Sequence, residues 1–121
     1  NGSASQLWRA EGLKPGTGSP LVLGGSLYVL NGAGILIKAS LQNGDEAWKL
    51  RLKGPFSGSP VGAGRYVYLA SERGDLQVVD TEAAEGEIVH TVELKDTILS
   101  TAALSGGAVF VRSDKRLWKL N

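Results

Sequence analysis

Residues 59–80 run Ser59-Pro60-Val61-Gly62-Ala63-Gly64-Arg65-Tyr66-Val67-Tyr68-Leu69-Ala70 and on through Gly74 to Leu76-Gln77-Val78-Val79-Asp80. Locally this reads as a short strand stopped by Gly64, an aromatic and β-branched strand at 66–70, and a third strand entered through Gly74. The same pattern stands forty residues earlier. Trp8 falls on Trp48, Pro15 on Pro55, Gly18 on Gly58 and Ser19-Pro20 on Ser59-Pro60. Gly24 then falls on Gly64, Tyr28 on Tyr68, Gly34 on Gly74 and Leu36 on Leu76. Identities this dense, in register and without a gap, mark an internal repeat.

A third copy follows at an offset of 42, with two residues added in the turn at 81–85. Gly44-Asp45 aligns with Gly86-Glu87, Leu52 with Leu94, Ser59-Pro60 with Thr101-Ala102, Tyr68 with Phe110 and Ser71 with Ser113. One residue is lost after Lys115, so Leu76 aligns with Leu117 and Asp80 with Asn121. The chain is one unit of three repeats, at about 6–46, 47–88 and 89–121. Residues 48–53, Trp48-Lys49-Leu50-Arg51-Leu52-Lys53, alternate apolar and charged, which predicts an outer strand with Lys49, Arg51 and Lys53 in water. No segment holds a 3.6-residue period. Four short strands in each repeat of about 40 residues predict an all-β chain of β-propeller blades, each of four antiparallel strands.

Composition narrows function. The chain has 121 residues, 13 basic and 12 acidic side chains, no cysteine and one histidine, His90. A net charge of +1 gives no field that would favour nucleic acid. Without cysteine there is no disulfide, thiolate metal site or thiol nucleophile. No apolar run approaches the roughly 20 residues of a membrane helix, so membrane insertion is not expected. The glycine pairs 24–25 and 106–107 precede strands rather than a helix N-terminus, and so read as hairpin turns, not phosphate loops.

From Gly34 to Trp48 the sequence resembles the repeat of quinoprotein-like propellers, the PQQ-like superfamily. There a glycine opens the third strand, an aspartate closes it, and a Thr-Gly turn leads to an outer-strand tryptophan that docks on the next blade. Gly44 and Trp48 match that pattern, while Ser40 stands for the aspartate and Asn43 for the threonine. The second copy keeps Asp80 and Gly86 and places His90 at the tryptophan position. Residues 111–120 resemble the final blade of bacterial members. The superfamily includes PQQ-dependent alcohol dehydrogenases and an outer-membrane protein assembly lipoprotein that acts as a scaffold. The dehydrogenases use a vicinal cysteine pair, a calcium ion and an aspartate base on eight blades. With no cysteine and three blades, this chain is expected to hold no cofactor, no metal and no catalytic residue. The resemblance also implies an exported setting, periplasmic or extracellular.

Within that frame Trp8, Trp48 and His90 are expected at blade docking positions. Trp118 aligns with Gln77 and falls outside the Leu117/Leu120 pattern, which marks it as the aromatic to touch something beyond its own blade. The loop cluster Glu72-Arg73 and its echo Asp114-Lys115 are candidate binding-face loops, because a propeller gathers such loops on one face. Residues 6–10 read as a fourth strand without a blade, and 117–121 as a third strand without its fourth. Three blades are too few to close a ring. The expectation is a homodimer in which each chain donates residues 6–10 to the other's last blade, giving six blades. The alternative is a part of a longer propeller. The functional expectation is a non-catalytic scaffold for protein or peptide partners. Its rivals are the C-terminal part of a quinoprotein-like enzyme and a carbohydrate-binding, lectin-like propeller.

Overall fold

The computed structural model describes residues 18–120, and all its regular elements are strands. Blade 1 consists of β1 (Leu21–Leu23), β2 (Ser26–Leu30), β3 (Ile35–Ser40) and β4 (Glu46–Arg51). Blade 2 consists of β5 (Val61–Ala63), β6 (Tyr66–Ala70), β7 (Asp75–Asp80) and β8 (Glu87–Glu93). Blade 3 has β9 (Ala103–Ser105), β10 (Ala108–Arg112) and β11 (Leu117–Leu120). Within each sheet consecutive strands pair antiparallel. The sheets are offset by one strand from the sequence repeats: β4 opens the second repeat but pairs with β3 of the first. Residues 6–10, the expected unattached strand, lie outside the described residues.

Alternation along the outer strand holds: Trp48 is buried, whereas Lys49, Arg51 and Lys53 are exposed. Both complete blades shift register at one place, between Lys38 and Ala39 and between Val78 and Val79. The turn after the third strand is capped alike in each. Asp80 Oδ1 accepts the Glu82 N–H at 3.0 Å, and Ser40 Oγ accepts the Gln42 N–H at 3.2 Å. Serine thus does the aspartate's local work, the i to i+2 bond of an Asx- or ST-turn.

The core lies between blades, because each sheet buries one face on its neighbour. Tyr28, Leu30, Leu36 and Trp48 of blade 1 pack on Val67, Leu69 and Val79 of blade 2. Ala70 and Leu76 of blade 2 pack with Leu94 and Ile98 of the following linker on Val109 and Val111 of blade 3. Near the centre β1 meets β5 and β5 meets β9. There the repeated Ser/Thr tie the blades in series: Ser59 Oγ accepts the Ser19 N–H at 2.7 Å, and Thr101 Oγ1 accepts the Ser59 N–H at 2.8 Å.

Trp118 shares its face of β11 with Leu120 rather than standing apart from it, and both pack on the cluster between blades 2 and 3, so Trp118 does reach beyond its own blade. Leu117 is the side chain turned away, 74% exposed. The strand's period of two sets this, with residues 118 and 120 on one side and 117 on the other.

Candidate functional site

The loops 31–34, 71–74 and 113–116 join the second and third strands of successive blades and lie on one face with the linkers 52–60 and 94–102. Their backbones are stapled in a repeating way. Leu52 N–H donates to Gly34 O at 2.9 Å, and Leu94 N–H to Gly74 O at 2.8 Å. Each linker also receives the loop of the next blade: Glu72 N–H donates to Pro55 O at 2.8 Å, and Asp114 N–H to Thr97 O at 2.9 Å. Gly74 is required at its place, for it has φ +94° and a Cβ there would lie 2.6 Å from Asp96 O.

Side chains reinforce the staples. Asp96 Oδ2 accepts the Ser113 hydroxyl at 2.6 Å and the Lys115 N–H at 3.0 Å, while its Oδ1 takes the Thr97 N–H at 3.0 Å. The Ser113 hydroxyl, followed by the Lys115 N–H, holds the Asp96 carboxyl below its ordinary range. Ser57 Oγ donates to the Glu72 carboxylate, and Ile98 N–H to Glu72 O at 3.2 Å. Of the four candidate loop residues, Glu72 is therefore half-buried and engaged, whereas Arg73, Asp114 and Lys115 are exposed. A cavity of about 440 Å³ opens on this face beside blade 1, with Gly32, Gly34 and Gly54 in its lining beside Asn31, Arg51, Pro55 and Phe56. Among the described residues no three His, Cys, Asp or Glu side chains gather to hold a metal. Among the same residues no helix is long and apolar enough to cross a membrane.

The docking candidates sit elsewhere, on the outer parts of the blades. Trp48 is 8% exposed, and its ring lies against Gly86 in the turn of blade 2, where a Cβ would come within 2.9 Å of the indole. Its Nε1 is buried without a hydrogen-bond partner, and Tyr28 leans on it with centroids 6.1 Å apart. His90 is exposed and lines a second groove of about 440 Å³ with Tyr66, Tyr68, Val92, Val109 and Leu120. Trp118 donates from Nε1 to Ser113 Oγ at 3.0 Å, and the Arg116 guanidinium lies 5.7 Å from its ring centroid. Trp8 lies outside the described residues.

Sequence reasoning passed over two contributors. Gln77, wholly buried, clamps the Lys53 backbone, its Oε1 accepting the N–H at 2.8 Å and its Nε2 donating to the carbonyl at 2.9 Å. Nothing in a Leu-Gln-Val-Val strand signals such a clamp. Asp96 has no aligned partner in the first linker, where Gly54 stands.

A family model described as outer membrane protein assembly factor BamB matches residues 1–85 and again 43–121, so the two matches span the chain and the chain belongs to that family. No curated protein matches it. BamB from Moraxella catarrhalis superposes with a TM-score of 0.77 at 17% identity, over 95% of this chain and 36% of that one. Quinohemoprotein alcohol dehydrogenase ADHIIG from Pseudomonas putida HK5 gives 0.70 at 16% identity, over 88% of this chain and 18% of that one. A europium-containing methanol dehydrogenase gives 0.63 at 13% identity, over 76% and 19%. At these identities the likeness is one of fold. The chain is thus an arc of PQQ-like propeller blades, spanning about a third of that BamB and about a fifth of each dehydrogenase.

Proposed function

We propose that this member of the BamB family is a non-catalytic scaffold whose loop face recognises a protein partner. The observation carrying this reading is how that face uses its charge. Asp96 and Glu72 are spent tying linkers to loops, so Arg73, Asp114 and Lys115 project from a fixed backbone. Exposed charges on loops held by a rigid sheet suit the reading of another protein's surface. Acid–base or metal chemistry asks instead for titratable groups converging on a pocket. The family description names outer membrane protein assembly, and the partner is sought there. The test is binding of the chain to outer membrane protein assembly machinery purified without its own BamB. Binding is expected, and Arg73→Glu with Lys115→Glu should weaken it about tenfold while leaving the melting temperature unchanged. Absence of binding, or binding indifferent to those charges, rejects the reading. Against the lectin-like rival, Trp48 lies in one cluster between blades and Trp118 packs against the other.

Completion of the ring belongs to the same proposal. Among the described residues β11 is the edge of a three-stranded sheet. Two chains meeting head to tail would give six blades. The share of BamB covered, 36%, favours a second reading, an arc within a larger propeller. Light scattering separates the two: twice 12.7 kDa supports the closed pair, and a monomer of 12.7 kDa supports the arc.

A further inference from the structure

The loop face repeats one plan from blade to blade, and blade 1 departs from it. In blade 2 the loop carries Glu72, whose carboxylate takes the Ser57 hydroxyl and whose carbonyl takes the Ile98 N–H at 3.2 Å. Gly32 stands at the aligned position in blade 1, and Phe56 stands where the next linker has Ile98. Among the described residues Phe56 N–H has no hydrogen-bond partner. Loop and linker of blade 1 are joined by Leu52 N–H on Gly34 O and part beyond it, and the cavity of about 440 Å³ is the gap between them.

Donors line this gap. Arg51 stands where blade 2 has Glu93. Its guanidinium is exposed, forms no ion pair among the described residues, and makes one long bond, Nη1 donating to Ala33 O at 3.4 Å. Asn31 Oδ1 is committed to the Ala33 and Ile35 N–H groups at 2.9 and 3.1 Å, which leaves the side-chain NH2 to donate. Phe56 N–H is a third donor, and no Asp or Glu is among the described lining residues. A cation with neutral donors and no opposing carboxylate suits an anion. Blade 2 carries acids at both aligned positions, Glu72 and Glu93, so the sign of charge is reversed in blade 1.

We infer that this cavity takes an acidic segment of the protein partner, with an aspartate or glutamate carboxylate on Arg51, an inference that deepens and rests on the loop-face reading proposed above. A space of about 440 Å³ admits a short run of peptide rather than one small ion. Leu30, Leu52 and Phe56 give it an apolar wall, and shielding from water strengthens the charge pair.

The probe is an acetylated, amidated tri-glutamate peptide titrated into the 15N-labelled full chain at low salt, with tri-lysine and sodium acetate at matched concentration as controls. Amide shifts at Gly32, Ala33 and Phe56 are expected with tri-glutamate alone, and Arg51→Gln should weaken binding about tenfold. An added side chain at Gly32 meets open space, so Gly32→Glu should abolish binding by placing the chain's own acid at the cavity, without lowering the melting temperature. Equal shifts with acetate assign the site to free carboxylates and overturn the peptide segment. Shifts that map to Arg73 or Lys115 instead, or that survive Arg51→Gln unchanged, overturn the site. If tri-glutamate fails while the parent chain still binds the assembly machinery, this inference falls and the loop-face reading stands. Tri-glutamate shifts at these amides without binding to that machinery keep the anion site and reject the partner.

Discussion

Trp48 shows what one side chain contributes between two blades. Its indole fills the space over Gly86 and joins a cluster drawn from both sheets, so Trp48→Ala should cost about 3–5 kcal/mol in urea unfolding. Trp48→Phe should cost no more than about 1.5 kcal/mol, since the buried Nε1 has no partner to lose. Equal losses in the two variants would mean that the indole N–H is engaged after all. Gly86→Ala meets the problem from the other side, with φ +72° and ring carbons 2.9 Å from the new Cβ, and should cost about 1–3 kcal/mol. The tryptophan and the turn glycine were each legible as positions of the repeat, though not their meeting across the interface. Gln77 was not, because its two bonds go to the backbone of Lys53, whose neighbour in space depends on how the linker runs.

At the scale of elements the strands were legible to within about two residues, the outer strand read at 48–53 being found at Glu46–Arg51, and the staples between them were not. Aromatic and β-branched runs bounded by glycine placed β6 at 66–70, where it is found. The linker at 94–102 has no such period, and its order comes from Asp96 reaching the loop at 113–116. That carboxyl is held below its ordinary pKa by the Ser113 hydroxyl and then the Lys115 N–H. Its stabilising contribution is therefore complete above the unfolded value of 3.8 and disappears as pH falls through the lower, folded value. Asp80, lowered chiefly by its hydrogen bonds from Arg65, adds to the same acid limb. Asp96→Asn should flatten the fall in stability below pH 4 more than it changes stability at pH 6 relative to pH 7, as measured by urea midpoints across pH 2–7. A fall as steep as in the parent chain would show that other carboxylates dominate.

For the whole molecule, the repeat makes stability a sum of blade energies and nearest-neighbour interfaces. Blade 2 has a neighbour on each side, whereas blade 3 meets only blade 2 among the described residues and keeps Leu117 74% exposed and Leu99 58% exposed. The molecule should therefore open from blade 3, with β9–β11 amides exchanging faster than those of β5–β7. A second chain set head to tail on blade 3, as the proposed closure has it, would turn that local weakness into a dependence on concentration. Hydrogen exchange followed by mass spectrometry at low and high protein concentration checks this. Protection of β10 and β11 should rise with concentration while that of β6 and β7 stays level. Protection of β10 and β11 that equals that of blade 2 at every concentration would mean blade 3 does not open first and that no second chain is needed to hold it.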